Sequence, residues 1–393
     1  MIFARHSVLK RGCSTWDHEL APREEFQARL DAARREMARL NLDALVIYGD
    51  NYCFADLCYL TNYFPKVRGG IAIVPCDGAV SMLLNIGSRD VPFAKTLTWV
   101  DDVRASNLIG ADGAKILKEK KLGGRRVGLA DSGRGFPLPQ LEAMKAALPE
   151  VEWIACDALV AALRPQKTFH ELAAMRAAGR LLGGICNEAV NYIKHGRKEY
   201  EIVADIDRLA RDKGAEDIRI LAGEKRLRPP SFKRAGGIGD HWAVYLAVQH
   251  ERYWAEAGRT YMLSADENRR NAYAKAEDVV RHMADSLKPG NNVAVIDGIA
   301  RNELEEFYAA ALQYGLGQGI GLNQWEAPFL SADDALEVGA PAVDAATLNE
   351  GMTLALRVSF ESEGKLFIYG NSYEVTNSGP RCLLGAQSSF PQT

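Results

Sequence analysis

The sequence predicts an α+β protein of two domains, in which an α/β domain precedes a domain whose helices frame antiparallel hairpins. The chain has 393 residues, and a single hydrophobic core rarely grows beyond roughly 250 to 300 residues. Short apolar strands alternate with helices up to about residue 155, and from residue 168 long helices and long alternating strands follow. We therefore expect two domains, at residues 1–160 and 161–393.

The first predicted element is an amphipathic helix in the segment PREEFQARLDAARREMARL. Phe26, Leu30, Ala33, Met37 and Leu40 fall on one stripe of this helix, which leads directly into the apolar strand DALVIYG. Turn residues such as PCDG separate the strands that follow. Four further segments have the pattern of strands: GGIAIVP, VSMLLNI, RRVGLAD and VEWIACD.

The second domain begins with a predicted helix start. Thr168 and Glu171 have the spacing of a capping box ahead of the long helix FHELAAMRAAGRLLGGICNEAVNYI. A second helix is expected over residues 198–212, and Ser264 and Glu267 repeat the capping pattern ahead of a third. Four alternating segments predict the strands of the hairpins: HWAVYLAV, YWAEAGRTYML, MTLALRVSF and FIYGNSYEVT.

Composition and charge exclude several classes of protein. The net charge is −3, with 25 % charged and 47 % hydrophobic residues, so no broad basic face for nucleic acid is expected. No apolar stretch approaches the roughly 18 residues of a membrane span. Arg5, Lys10 and Arg11 interrupt the N-terminal segment, which predicts no secretory signal. The seven cysteines are scattered and odd in number, and we expect reduced thiols in a cytoplasmic protein.

Five segments, in a fixed order along the chain, carry a resemblance to a known family. They are CYLTNYF, LRPQKTFHELAAMRAAGRL, LKPGNNVAVI, GLGQGIGLNQWEAP and LNEGMTLAL. The chain resembles the creatinase, prolidase and methionine-aminopeptidase superfamily over nearly its whole length. The resemblance implies a C-terminal pita-bread domain preceded by a smaller creatinase-type domain. It also implies a homodimer, because in this family the N-terminal domain of one subunit often completes the other subunit's site.

The resemblance also identifies the positions at which metal-dependent members hold two divalent ions. Those members use two aspartates, one histidine and two glutamates. The corresponding residues here are Tyr245, Glu256, Gln318, Arg357 and Gly370. Only Glu256 keeps an ionisable oxygen, and a guanidinium cannot ligate a cation. We therefore expect no metal and no other cofactor.

Creatinase and the similar ectoine hydrolase imply a metal-free alternative within the family, because they hydrolyse C–N bonds without a metal. The segment RGGIAIVPCDG aligns with a stretch of creatinase that carries a substrate-binding arginine, which gives Arg68. Arg228 stands at about the spacing of the family's substrate-facing histidine, and Trp325 replaces a second histidine. Creatinase keeps its base histidine and the glutamate that is Arg357 here, so the chain is not a creatinase.

These positions lead to a hypothesis about catalysis. Glu256 is expected to act as base or nucleophile, while Tyr245 and Gln318 orient the substrate or stabilise developing charge. His241 is expected at the rim of the site, four residues along the strand from Tyr245. A structural ion pair between Glu256 and Arg357 is an equally open alternative, since buried charges generally need partners.

The predicted substrate is a small, anionic molecule, with guanidinium groups as anchors and aromatic side chains as walls. For each of these side chains a structural or solvent-exposed role is the open alternative. The residues expected to bind substrate are Arg357, Arg68, Arg228, Trp325 and Trp254.

Three functions are consistent with the sequence. The leading hypothesis is a metal-independent hydrolase of a C–N bond in a small metabolite. A second is a catalytically inactive binding protein on the same fold, as found among chromatin and growth-regulating factors, and a closed cavity filled by tryptophan would favour it. A third is a lyase, although the lyase relative on this fold keeps its metal ligands.

Overall fold

The computed structural model describes residues 15–65, 68–130, 135–230, 237–330 and 346–385. It divides into two compact units, Met1–Arg164 and Pro165–Thr393, where the sequence led us to expect a boundary at residue 160. Residues 231–236, within the basic segment RLRPPSFKRAGGIGD, lie outside the described residues.

The N-terminal unit is a mixed six-stranded sheet with helices, and its strands have the order β4-β3-β2-β1-β5-β6. β1 runs antiparallel to β2 and parallel to β5. The strands are β1 Ala44–Gly49, β2 Gly70–Pro75, β3 Ser81–Leu84, β4 Asp102–Ala105, β5 Arg126–Ala130 and β6 Glu152–Ala155. The helices are α1 Arg23–Arg39, α2 Ala55–Thr61, α3 Val91–Ala94, α4 Ile109–Glu119, α5 Leu138–Ala146 and α6 Ala158–Ala161.

The predicted apolar stripe of α1 is buried, with one exception. Phe26, Leu30, Ala33 and Met37 are at most 3 % exposed, whereas Leu40 is 38 % exposed. Leu40 is the C-terminal capping residue, where the chain leaves the helix, and it is therefore no longer aligned with the stripe.

The C-terminal unit is built on an eight-stranded sheet with the order β11-β10-β12-β13-β9-β8-β7, and β14 pairs with β13. The predicted antiparallel hairpins are β8 with β9 and β12 with β13. The strands are β7 Asp217–Gly223, β8 His241–His250, β9 Tyr253–Met262, β10 Gly317–Gly319, β11 Glu326–Phe329, β12 Thr353–Ser362, β13 Lys365–Thr376 and β14 Gly379–Cys382. The helices are α7 Phe169–Ala189, α8 Glu199–Asp212, α9 Glu267–Asp285, α10 Ala294–Leu304 and α11 Tyr308–Ala311.

Two long helices, α7 and α9, cover one face of this sheet. The Tyr261 hydroxyl of β9 donates to the carbonyl of Cys186 in α7, at 2.9 Å. The ring of Tyr369 in β13 meets that of Tyr273 in α9, with centroids 5.8 Å apart. Successive strand residues point to opposite faces, so the other face carries the residues that alternate with Tyr261 and Tyr369. The candidate active site lies on that second face.

The helix starts were predicted with mixed success. Thr168 and Glu171 form the expected capping box of α7. At α9 the capping residue is Asp266, whose carboxylate accepts from the Arg269 amide, and the prediction of Ser264 was wrong. The Ser264 hydroxyl instead donates to Asp240, at 3.0 Å.

No helix in the described ranges is long and apolar enough to cross a membrane. The six cysteines within those ranges are free thiols. A cytoplasmic location stays a prediction.

Replacing Thr168 with alanine removes the side-chain acceptor of the α7 capping box. We expect Thr168→Ala to lower the free energy of unfolding by about 1 kcal/mol, as for other N-cap residues. Urea denaturation followed by circular dichroism measures this, with Thr168→Ser as the control that keeps the hydroxyl. An equal loss in both variants would show that the cap is not the cause.

Candidate active site

Glu256 on β9 lies at the centre of the candidate site, and its side chain is buried, with 2 % of the residue exposed. Its Oε1 accepts hydrogen bonds from Gln318 Nε2 at 3.1 Å and from Arg357 Nη1 at 2.8 Å. Its Oε2 accepts from the Tyr245 hydroxyl and from Gln324 Nε2, the latter at 3.3 Å. A carboxylate has about four acceptor positions, so the donors around Glu256 use its full capacity.

Arg357 on β12 is the charged partner of this carboxylate and is 5 % exposed. Besides pairing with Glu256, its Nη1 donates to Gln318 Oε1 at 2.8 Å, and its Nε donates to the Tyr314 carbonyl at 2.7 Å. The guanidinium carbon lies 5.6 Å from the ring centre of Trp325, within cation–π range. Glu256 and Arg357 therefore form the buried ion pair that the sequence left open as an alternative.

Two glycines lie next to the ion pair on neighbouring strands, and each is closely packed. The register places Gly258 and Gly370 opposite each other, and Gly370 opposite Arg357. A Cβ at Gly370 would lie 2.7 Å from the Cβ of Arg357, and one at Gly258 would lie 2.6 Å from Cγ1 of Ile368. Carbon atoms pack best at about 3.5 to 4.0 Å. Position 370 therefore has no space for a side chain while this strand pairing holds.

The two-metal site of the family does not fit these residues. Of the five ligand positions, only Glu256 supplies a carboxylate, and the guanidinium of Arg357 lies against its Oε1 where it would repel a cation. Gly370 has no donor atom in its side chain. Among the described residues, no group of three or more histidine, cysteine, aspartate or glutamate side chains could hold a metal ion.

A cavity of about 370 Å³ opens beside the ion pair. Tyr245, Gln324 and Arg357 bring polar groups to its wall, whereas Glu256 and Gln318 lie behind them and do not line it. The cavity is therefore not filled by tryptophan, and its size lies within the range typical of small-molecule sites. The complete lining is Arg219, Ile220, Leu221, Leu227, Tyr245, Gln313, Tyr314, Gln324, Trp325, Arg357 and Ile368.

Several lining residues were missed by the sequence analysis, among them Arg219 on β7 and Gln324 after β10. Arg219 Nη1 donates to Gln324 Oε1 at 2.7 Å, and Gln324 Nε2 donates to the Tyr245 oxygen and to Glu256. The register puts Arg219, Ala247 and Glu256 in one row across three strands. This row would have identified Arg219 if the pairing between β7 and β8 had been known. Gln324 lies in a loop, where no periodicity fixes its direction.

The other predicted site residues divide between the cavity and the interior. Trp325 lines the cavity as expected for a substrate-binding wall. Gln318, 0 % exposed, holds Glu256 and Arg357 rather than facing the cavity. Trp254 is 1 % exposed and does not line the cavity, since the guanidinium of Arg219 covers its ring at 4.5 Å. Gln318 and Trp254 were expected to contact the substrate, but neither side chain reaches the cavity.

Three further predicted positions lie elsewhere. Arg228 pairs with Glu199, at 2.8 and 3.3 Å, and does not line the cavity. His241 was expected at the rim but is 1 % exposed, with Nε2 2.7 Å from the Leu366 carbonyl, and burial lowers its pKa. Arg68 belongs to the N-terminal unit and is exposed, with Nη1 3.2 Å from the Asn85 side chain. Its action in a partner's site, and the homodimer itself, stay predictions.

Tyr245 is the half-buried link between cavity and carboxylate. Burial, together with the adjacent negative charge of Glu256, raises the pKa of its hydroxyl well above the ordinary value of 10.0. The phenol therefore stays protonated throughout the physiological pH range. Its proton points to Glu256 Oε2, and its oxygen accepts from Gln324.

These features define a two-domain α+β protein with a buried ion pair beside a cavity, and comparison with known proteins assigns the family. Residues 173–377, just over half of the chain, match the model of metallopeptidase family M24. Residues 29–166 match the creatinase/prolidase N-terminal domain. The chain therefore belongs to metallopeptidase family M24, and the predicted pita-bread domain behind a creatinase-type domain is confirmed.

Relatives and solved structures extend this assignment. An uncharacterized hydrolase/peptidase of Sinorhizobium fredii is 26 % identical over 401 aligned residues, covering 93 % of this chain and 96 % of that protein. The Xaa-Pro dipeptidase of Pyrococcus horikoshii is 25 % identical over 229 residues, covering 56 % of this chain and 62 % of that enzyme. The crystal structure of the Pyrococcus horikoshii prolidase superposes with a TM-score of 0.76 at 20 % identity, over 92 % of this chain and 99 % of that one. At this identity the structural likeness establishes the fold alone.

Removing Arg357 should leave the Glu256 carboxylate buried without its counter-charge. We expect Arg357→Met to lower the free energy of unfolding by about 3 to 5 kcal/mol, because an uncompensated buried charge is costly. The double variant Glu256→Gln/Arg357→Met should recover a large part of that loss. Urea denaturation of the four proteins in a double-mutant cycle measures the coupling. Strictly additive losses would contradict a coupled ion pair.

Proposed function

We propose that this chain is a metal-independent hydrolase of the M24 family that cleaves a C–N bond in a small, anionic molecule bound in the cavity beside Arg357. The observation that carries the proposal is the guanidinium of Arg357 on the Glu256 carboxylate, at 2.8 Å. It supplies the positive charge that divalent ions would otherwise bring, and it leaves no carboxylate free to coordinate them.

The charge of the cavity wall supports an anionic substrate. The described residues of the lining include two arginines and no aspartate or glutamate. The protonated amino group of a free peptide would find no carboxylate there, and guanidinium groups would repel it. The names of several relatives point to Xaa-Pro dipeptides as an alternative class of substrate. The lining favours a ligand with a carboxylate and without a free ammonium group.

Tyr245 and Glu256 offer a route for the proton of an attacking water. A water in the cavity can give a proton to the Tyr245 oxygen as Tyr245 passes its own proton to Glu256 Oε2. The resulting hydroxide adds to the carbonyl carbon, and the proton held by Glu256 returns by the same path to the departing nitrogen as the C–N bond breaks. The raised pKa of Tyr245 means that the two transfers occur together, without a stable phenolate.

A second candidate function is a binding protein without catalysis. It is favoured by the four hydrogen bonds that Glu256 accepts, since a saturated carboxylate is a poor base until one donor moves. The two functions share the same ligand site. Turnover of a bound ligand separates them.

Metal removal tests the leading proposal. We expect protein purified without chelator to hold less than stoichiometric metal, and to hydrolyse members of a panel of N-acyl and N-carbamoyl amino acids equally well in excess EDTA. Elemental analysis and amine-release assays measure both, with the Pyrococcus horikoshii Xaa-Pro dipeptidase assayed in parallel on Xaa-Pro dipeptides. Stoichiometric metal, or a divalent-dependent cleavage of Xaa-Pro dipeptides by this chain, would return it to the metal-dependent class. Ligand binding with no turnover across the panel would favour the binding protein.

Replacing Tyr245 by phenylalanine breaks the path between cavity and carboxylate. We expect kcat on the best substrate of the panel to fall by about 10² or more, the usual range for loss of an acid–base group, with little change in KM. Tyr369→Phe is the control, because it makes the same change on the helix-covered face of the sheet. Equal activity of Tyr245→Phe and the parent would remove Tyr245 from the mechanism.

A further inference from the structure

The cavity wall carries one guanidinium group, that of Arg219, whose positive charge is not neutralised by a described carboxylate. Of the two guanidinium groups in its lining, that of Arg357 is neutralised by Glu256. Within the described part of the chain, no carboxylate lies at ion-pair distance from Arg219. A cation beside an apolar cavity is a natural partner for a ligand anion, because charge-assisted bonds are about twice as strong as neutral ones.

Arg219 is held in place at the cavity by two contacts. Its guanidinium lies over the ring of Trp254, 4.5 Å from the ring centre, and Nη1 donates to Gln324 Oε1 at 2.7 Å. A guanidinium has five N–H groups, and the described contacts of Arg219 use one of them. The remaining donors belong to an exposed side chain of the cavity wall, and stacking on Trp254 reduces the entropy lost when they bind a ligand.

Arg357 is less suited to bind the ligand's anion. Its Nε and Nη1 already donate to Tyr314, Gln318 and Glu256. The residue is also 5 % exposed, and its charge is compensated at 2.8 Å. An anion placed on Arg357 would face the repulsion of Glu256 behind it.

We propose that Arg219 is the specificity-determining residue of the cavity and binds the single carboxylate of a monoanionic ligand whose remaining part is apolar. This inference rests on the proposed function for the existence of a ligand in this cavity. One uncompensated guanidinium matches one negative charge, and a second carboxylate on the ligand would have no cation left to balance it. The apolar part contacts the hydrophobic residues of the lining: Ile220, Leu221, Leu227, Trp325 and Ile368.

A pair of probes that differ only in charge tests the assignment. Benzoate and benzamide have nearly the same shape, and titration of either can be followed by tryptophan fluorescence, because Trp325 lines the cavity and Trp254 lies under Arg219. We expect benzoate to bind at least about tenfold more tightly than benzamide to the full chain. Arg219→Gln should abolish that preference by weakening benzoate alone, Arg219→Lys should keep part of it, and the exposed Arg226→Gln should change neither probe.

Crystals soaked with 4-bromobenzoate locate the carboxylate directly through the anomalous signal of bromine at the opposite end of the ring. Binding with the carboxylate on Arg219 supports the proposal. A carboxylate on Arg357, equal binding of benzoate and benzamide, an unchanged preference in Arg219→Gln, or no probe in the cavity would each overturn it. Different results would refute the inference about Arg219 and the proposed hydrolase function. Arg219-dependent benzoate binding without turnover of any amide would retain the inference alone, whereas turnover with an unchanged KM in Arg219→Gln would retain the hydrolase alone.

Discussion

The ion pair between Glu256 and Arg357 is the interaction on which the rest of the candidate site depends. A carboxylate that is 2 % exposed needs a compensating charge and a full set of donors. The guanidinium supplies the charge from an adjacent part of the same sheet, while Gln318, Tyr245 and Gln324 complete the hydrogen bonding. These contacts connect four strand or loop segments to one carboxylate and set the orientation of Tyr245 toward the cavity.

Arg357 and Gly370 face each other across the pairing of β12 with β13. The Cβ of residue 357 lies 2.7 Å from where a side chain at position 370 would begin, so this strand pairing accommodates glycine at position 370. A carboxylate side chain placed at position 370 would clash with Arg357 in this pairing. In this arrangement the charge of Glu256 is balanced by the guanidinium of Arg357, and its oxygens accept from donors fixed on neighbouring segments.

Family membership and site chemistry consequently give different kinds of information about this protein. The prolidase of Pyrococcus horikoshii shares the fold of this chain at 20 % sequence identity. A fold depends on the pattern of buried strands and helices, which many different sequences can satisfy. Function depends on a few side chains placed on that scaffold. Here two arginines, Arg219 and Arg357, line the cavity, and the described residues of its wall include no carboxylate.

Short-range signals in the sequence determined most of the elements of this protein. Apolar periodicity predicted α1 and most of the strands within a few residues, but not, among others, β4, β7 or β14, and the capping box predicted the start of α7, because alternation and capping act within a few residues along the chain. The resemblance to the family, and not a local pattern, pointed to Tyr245, Glu256, Gln318 and Arg357 as residues of one site. Only the tertiary structure decided which of these side chains reach the cavity. The register of β7 with β8 places Arg219 at the cavity, and a loop places Gln324 beside it. Trp254 lies under the guanidinium of Arg219 and so does not line the cavity. These placements depend on pairings between segments tens of residues apart, which no local pattern encodes.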